Sequence, residues 1–114
     1  MAINRWGLTD RAEQDLLDVL DYIARDSIEN ANRVESAIYQ ACALLADSPM
    51  NGHVRTDLTR LPLRFWTLTR YNNYVIVYDP QSKPLQIIRI LHGARNIVRE
   101  LGDNPNPGQP ITRP

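Results

Sequence analysis

The sequence predicts an α+β domain: an antiparallel two-helix hairpin packed on a twisted antiparallel sheet, in the order β-α-α-β-β-β, with a short C-terminal helix. Three observations predict it. Two consecutive segments before Pro49 place apolar residues at helical spacing. From Leu63 onward the period drops to two. The breaks between these runs are rich in proline, glycine and asparagine.

Ile3 to Leu8 alternates weakly and reads as a short strand. Thr9 or Asp10 then offers an N-cap, and Asp10 and Glu13 make an acidic first turn. Ala12, Leu16, Val19, Leu20 and Ile23 fall on one stripe, so a first helix runs to about Asp26. Ser27 caps a second, whose stripe is Ala31, Val34, Ile38, Ala41 and Leu45, flanked by Cys42 and Leu44. It ends at Ser48-Pro49, because the residue before a proline is pushed out of the α region. With a residue or two between them, the helices form an antiparallel hairpin.

A polar loop from Met50 to Pro62 contains Asn51-Gly52. Leu63 to Arg70, Tyr74 to Asp79 and Leu85 to His92 then read as three strands, turned by Tyr71-Asn72-Asn73 and by Pro80 to Pro84. Ala94 to Leu101 reads as the short last helix. Gly102 to Pro114, with four prolines and two glycines, reads as a disordered tail. The expectation is one domain over 1–101 and a tail over 102–114.

Composition narrows the functional classes. At 114 residues and 43% hydrophobic, the chain holds one core without disulfide staples. Cys42 is the only cysteine, which excludes an intramolecular disulfide and a metal site of several thiolates and points to a reducing compartment. The opening residues lack a signal-like apolar run, and no stretch reaches the roughly 20 apolar residues of a membrane span. A soluble, cytoplasmic protein without membrane association is expected. The formal charge is zero, yet residues 1–50 carry −5 and residues 51–114 carry +5. Twelve of the thirteen bases are arginines, the residue suited to partly buried contact with carboxylates, phosphates and aromatic rings. The division points to an electropositive second half facing an acidic partner.

Separating the faces of the sheet sharpens this. Leu63, Phe65, Val75, Val77, Ile88 and Ile90 form a wholly apolar face, expected to lie under the helix hairpin. The opposite set is Arg64, Trp66, Leu68, Arg70, Tyr74, Ile76, Tyr78, Ile87, Arg89 and Leu91. Its mixture of aromatic, aliphatic and arginine side chains is that of interface hot spots, so it is expected to bind a partner. A second core face, covered by other parts of the chain, is the competing reading.

Motifs for small-molecule chemistry are missing: no glycine-rich dinucleotide or phosphate loop, no His-Glu-x-x-His and no Gly-x-Ser-x-Gly. Asp15, Asp18 and Asp21 recur every three residues. With Arg11 and Arg25 four positions away, they read as a salt-bridged, solvated helix face and not as metal ligands. No metal or cofactor is expected. Cys42 reads as a small buried hydrophobe, and His53 sits in a loop. Only Arg89-Ile90-Leu91-His92-Gly93-Ala94-Arg95 gathers groups fit for chemistry: His92 as acid or base, Arg89 and Arg95 as phosphate holders. A structural role for His92 and Gly93 at a strand end accounts for the same spacing.

An ordered set of short blocks resembles the ParE branch of the ParE/RelE superfamily, the toxins of type II toxin–antitoxin pairs. The blocks are Leu8-Thr9-x-Arg11-Ala12-Glu13-x-Asp15-Leu16, Tyr22-Ile23-Ala24, Ser48-Pro49-x-x-Gly52, Arg64-Phe65, Arg70-Tyr71, Tyr74-Val75-Ile76-Val77-Tyr78 and Ile87-x-Arg89-Ile90-Leu91-His92-Gly93-Ala94-Arg95. They span about residues 3 to 98. The resemblance implies a toxin, associated with plasmid stabilization, that inhibits DNA gyrase by protein–protein contact and is not itself an enzyme. It also implies a cognate ParD-like antitoxin, whose disordered acidic-amphipathic part folds onto this chain, with operator DNA reached only through that antitoxin. The partner-binding residues expected are Arg64, Trp66, Arg70, Tyr74, Tyr78, Arg89 and Arg95. RelE-like relatives cut messenger RNA on the ribosome with clustered lysines, arginines and a tyrosine. Here the single lysine, Lys83, lies in a turn. A ribosome-dependent ribonuclease using His92, Arg89 and Arg95 is the alternative, and a non-toxic antitoxin partner and co-repressor is a third.

Overall fold

The computed structural model describes residues 5–71 and 73–93. The expected last helix (94–101), the tail (102–114) and Arg95 lie outside the described residues. The order is β1 (Trp6–Leu8), α1 (Asp10–Ala24), α2 (Ile28–Asp47), a 3-10 turn (Pro49–Asn51), β2 (Arg64–Thr67), β3 (Tyr74–Asp79) and β4 (Leu85–His92). Both helices start where the sequence places their caps. The Thr9 hydroxyl accepts from the Ala12 N–H at 3.1 Å, and the Ser27 hydroxyl accepts from the Asn30 N–H at 3.1 Å. Among the described residues no helix is long and apolar enough to cross a membrane.

The sheet order is β1-β4-β3-β2. β2, β3 and β4 are antiparallel, as the hairpin turns require. β1 joins the far edge parallel to β4, pairing Trp6 with Leu85 and Leu8 with Ile87. The helix hairpin intervenes between β1 and the rest, and it returns the chain to the sheet from the covered side.

The hairpin covers the face opposite to the one expected. Leu68, Ile76, Tyr78, Leu85, Ile87 and Ile90 share one core with Ala12, Leu16, Val34, Ile38, Cys42 and Leu45 of the helices. Leu63, Phe65, Val75, Val77, Ile88 and Leu91 form a second cluster on the reverse of the sheet, closed by Leu58 and Leu61 of the preceding loop. Strict alternation says which residues share a face, not which face the helices take. A bulge adds the second error. Val77 faces Arg89 while Tyr78 faces Ile87, so Ile88 is an extra residue in β4. Beyond it the parity reverses, and Ile90 joins the helix side while Leu91 leaves it.

Candidate partner-binding site

β1 ends at Leu8, so β4 runs on past its strand partner and leaves backbone groups to be satisfied. Thr9 and the first turns of α1 satisfy them. The Thr9 N–H donates to the Ile87 carbonyl at 3.1 Å, and the Thr9 hydroxyl donates to that of Ile88 at 3.0 Å. Further along α1, Asp15 Oδ2 accepts from the Ile90 N–H at 3.0 Å. The same carboxylate takes both prongs of Arg89, from Nε at 2.7 Å and Nη2 at 2.9 Å. Arg89 is therefore an interior residue, and Asp15 belongs to the sheet's edge instead of the solvated face predicted for it.

Tyr78 is fully buried. Its hydroxyl donates to the Pro49 carbonyl at 2.6 Å and accepts from the Gly52 N–H at 2.8 Å. Burial raises its phenol above the usual tyrosine range, and the Gly52 N–H and the Arg64 charge partly offset this. Arg64 grips the same turn, donating from Nη1 to the carbonyls of Gly52 at 2.7 Å and Met50 at 3.4 Å. The Ser48-Pro49-x-x-Gly52 block is thus the seat of a tyrosine and an arginine brought from the sheet. Tyr78 and Arg89 offer no surface to a partner, and Arg64 is engaged in holding the turn.

Trp66 and Arg70 lie elsewhere. With Leu68, Thr69 and Tyr71 they form one wall of an open cleft of about 730 Å3, whose other wall is the outer side of α2. That side presents Arg33, Ala37, Ala41 and Leu44, at spacings of four and three. Leu44 is 42% exposed. Arg70 is exposed and takes part in no ion pair with a described residue, while Arg33 is paired with Glu29 at 2.6 Å. The result is a trough of mixed lining, in which Ala37, Ala41, Leu44 and Trp66 lie among Asn32, Ser36 and Gln40, with Arg33, Arg70 and Glu29 as its charged residues. Sequence reasoning found its strand wall and missed its helix wall. The signal was present: Ala37, Ala41 and Leu44 form a second stripe, offset from the core stripe of Val34, Ile38, Cys42 and Leu45.

Tyr74 and His92 are register partners at the other end of the sheet, with ring centroids 5.1 Å apart. Of the alternative catalytic set, His92 is exposed at the end of β4 and Arg89 points into the fold. Gly93 follows with φ of 82°, the left-handed conformation that glycine adopts without strain. Cys42 is buried in the main core, as expected, and desolvation pushes its thiol up to about 12.

Comparison with known proteins adds two findings. A family model described as ParE toxin of type II toxin-antitoxin system, parDE, matches residues 7–97. A solved chain of the chromosomal ParDE TA system from P. aeruginosa is similar in fold, with a TM-score of 0.62 and 24% identity, covering 77% of this chain and 94% of that one. No curated protein matches.

Proposed function

Because the chain belongs to the ParE toxin family of type II toxin–antitoxin systems, we propose that it inhibits DNA gyrase by protein–protein contact and is neutralised by a cognate ParD-like antitoxin. The observation that carries this over the ribonuclease alternative is the inward turn of Arg89. A phosphodiester transition state needs concentrated positive charge within reach. Nε and Nη2 of Arg89, the arginine that opens the Arg89–Arg95 segment, are spent on Asp15 inside the fold. In this reading the cleft between α2 and β2 takes an amphipathic segment, whose apolar residues meet Ala37, Ala41, Leu44 and Trp66 and whose carboxylates meet Arg70.

The test is a pair of assays on the purified protein. Supercoiling by gyrase should be inhibited, or cleaved DNA trapped, at concentrations that leave cell-free translation untouched. The cognate antitoxin should restore supercoiling. Cleavage of messenger RNA dependent on ribosomes, with gyrase unaffected, would overturn the reading.

A further inference from the structure

A second hollow lies on the opposite flank of the helix hairpin, against α1. Its volume of about 400 Å3 is lined by Asp18, Val19 and Tyr22 of α1, with Tyr74 at the start of β3 and His92 at the end of β4. Asp18 and Tyr22 are one helical turn apart, which puts carboxylate and phenol on one side of α1. The Tyr74 and His92 rings meet at 54°, forming an angled wall. Tyr22 and Tyr74 line the same hollow, and burial, with the Tyr22 phenol adding, raises the Tyr74 phenol. Tyr22 is 70% exposed and is not consumed by core packing.

Among the described residues the hollow is lined by one carboxylate, three rings and no arginine or lysine. Ring faces carry negative quadrupoles, and the carboxylate beside them adds a full charge. Gln14 donates to Asp18 Oδ1 at 2.9 Å, which orients the carboxylate without neutralising it. The neighbouring acids are already met, Asp15 by Arg89 and Asp21 by Arg25. Such a site repels phosphates and nucleic acid and attracts cations. Among cations it favours a guanidinium, which is weakly hydrated, lies flat on rings and forks to a carboxylate. We propose that this hollow is an aromatic cage for an arginine side chain presented by a partner protein. The −5 formal charge of residues 1–50 draws a basic partner toward it. Among the described residues it shares no lining residue with the cleft between α2 and β2, so the inference stands apart from the reading of that cleft and from gyrase as target.

The test is a nuclear magnetic resonance titration of the full chain, reading the ring signals of Tyr22, Tyr74 and His92. The probes are N-acetyl-arginine amide and its neutral isostere N-acetyl-citrulline amide. The arginine compound should shift all three rings saturably and bind about fivefold tighter than citrulline or better. Asp18→Asn and Tyr22→Ala, both at exposed positions, should each weaken it by about fivefold with unchanged melting temperature, whereas Leu44→Glu should leave it unaltered. Equal shifts from arginine and citrulline would overturn the proposal, as would shifts that persist unaltered in both cage variants.

Discussion

Asp15 and Arg89 stand 74 residues apart in the chain and form a two-pronged ion pair with only 12% and 4% of their side chains exposed. The pair does more than neutralise charge. Asp15 also receives the Ile90 N–H, so one carboxylate ties α1 to β4 where β1 has run out.

Truncating one member should therefore act on folding. Arg89→Ala leaves a nearly buried carboxylate without its partner and should cost about 3–5 kcal/mol in urea denaturation. Asp15→Asn with Arg89→Met keeps an acceptor for the Ile90 N–H and removes both charges, and should recover more than half of that loss. Equal destabilisation in the single and double variants would show that the pairing itself contributes nothing.

The turn after α2 supplies a second test. A Cβ added at Gly52 would lie 2.8 and 2.9 Å from Cε1 and Cζ of the buried Tyr78 ring, and a ring in a packed core cannot swing aside. Gly52→Ala should cost about 1–3 kcal/mol. Tyr78→Phe removes the hydroxyl and strands the Gly52 N–H, which should also cost about 1–3 kcal/mol. Thermal unfolding of the two variants checks both values; a neutral Gly52→Ala would mean that the turn relaxes away from the ring.

Core burial makes a pH prediction. Desolvation raises the Cys42 thiol from 9.0 to about 12, so the folded state holds its proton where the unfolded chain has lost it. This contribution is complete below pH 9 and is lost as the pH climbs toward 12, so stability falls across that window. The raised phenols of Tyr39, Tyr74 and Tyr78 act in the same direction. In native protein at pH 8 a thiol reagent should label Cys42 only at the rate of opening, and in urea at once. Rapid native labelling would contradict the buried position.

The cleft between α2 and β2 is tested by reversing a charge on its strand wall and placing one on its helix wall. Arg70→Glu and Leu44→Glu change exposed positions, so melting should move by less than about 1 kcal/mol in stability. Antitoxin binding measured by calorimetry should weaken by about tenfold or more in each. Arg25→Ala, on the outer side of α1 and paired only with Asp21, should be neutral. Losses confined to Arg25→Ala would move the docking surface to α1.

The helices were legible because their signals are local: Thr9 and Ser27 cap within three residues, and the stripes of Ala12–Leu16 and Val34–Leu45 repeat every turn. The strands and turns were legible for the same reason. The covered face was not, because Val77 and Tyr78 are equally apolar neighbours and a single extra residue at Ile88 reverses everything after it. Trp66 and Arg70, expected from the strand pattern to meet a partner, line the cleft, and the α2 wall opposite them was not anticipated. Arg89 and Tyr78 looked like interface residues because arginine and tyrosine are common there. Their partners, Asp15 and the Pro49–Gly52 turn, are distant in sequence, and no spacing rule connects them.

The pairing of β1 with β4 also orders events during synthesis. The helix hairpin is complete in sequence by residue 47 and depends on local hydrogen bonds. β1, Thr9 and Asp15 find their partners only in residues 85–90, the last strand of the described fold. Until the ribosome has released that strand, the hairpin has no finished sheet to rest on, and β1 has no strand to pair with. Contacts of such long sequence separation close last. A nascent chain therefore lacks its finished sheet until residues 85–90 have been made.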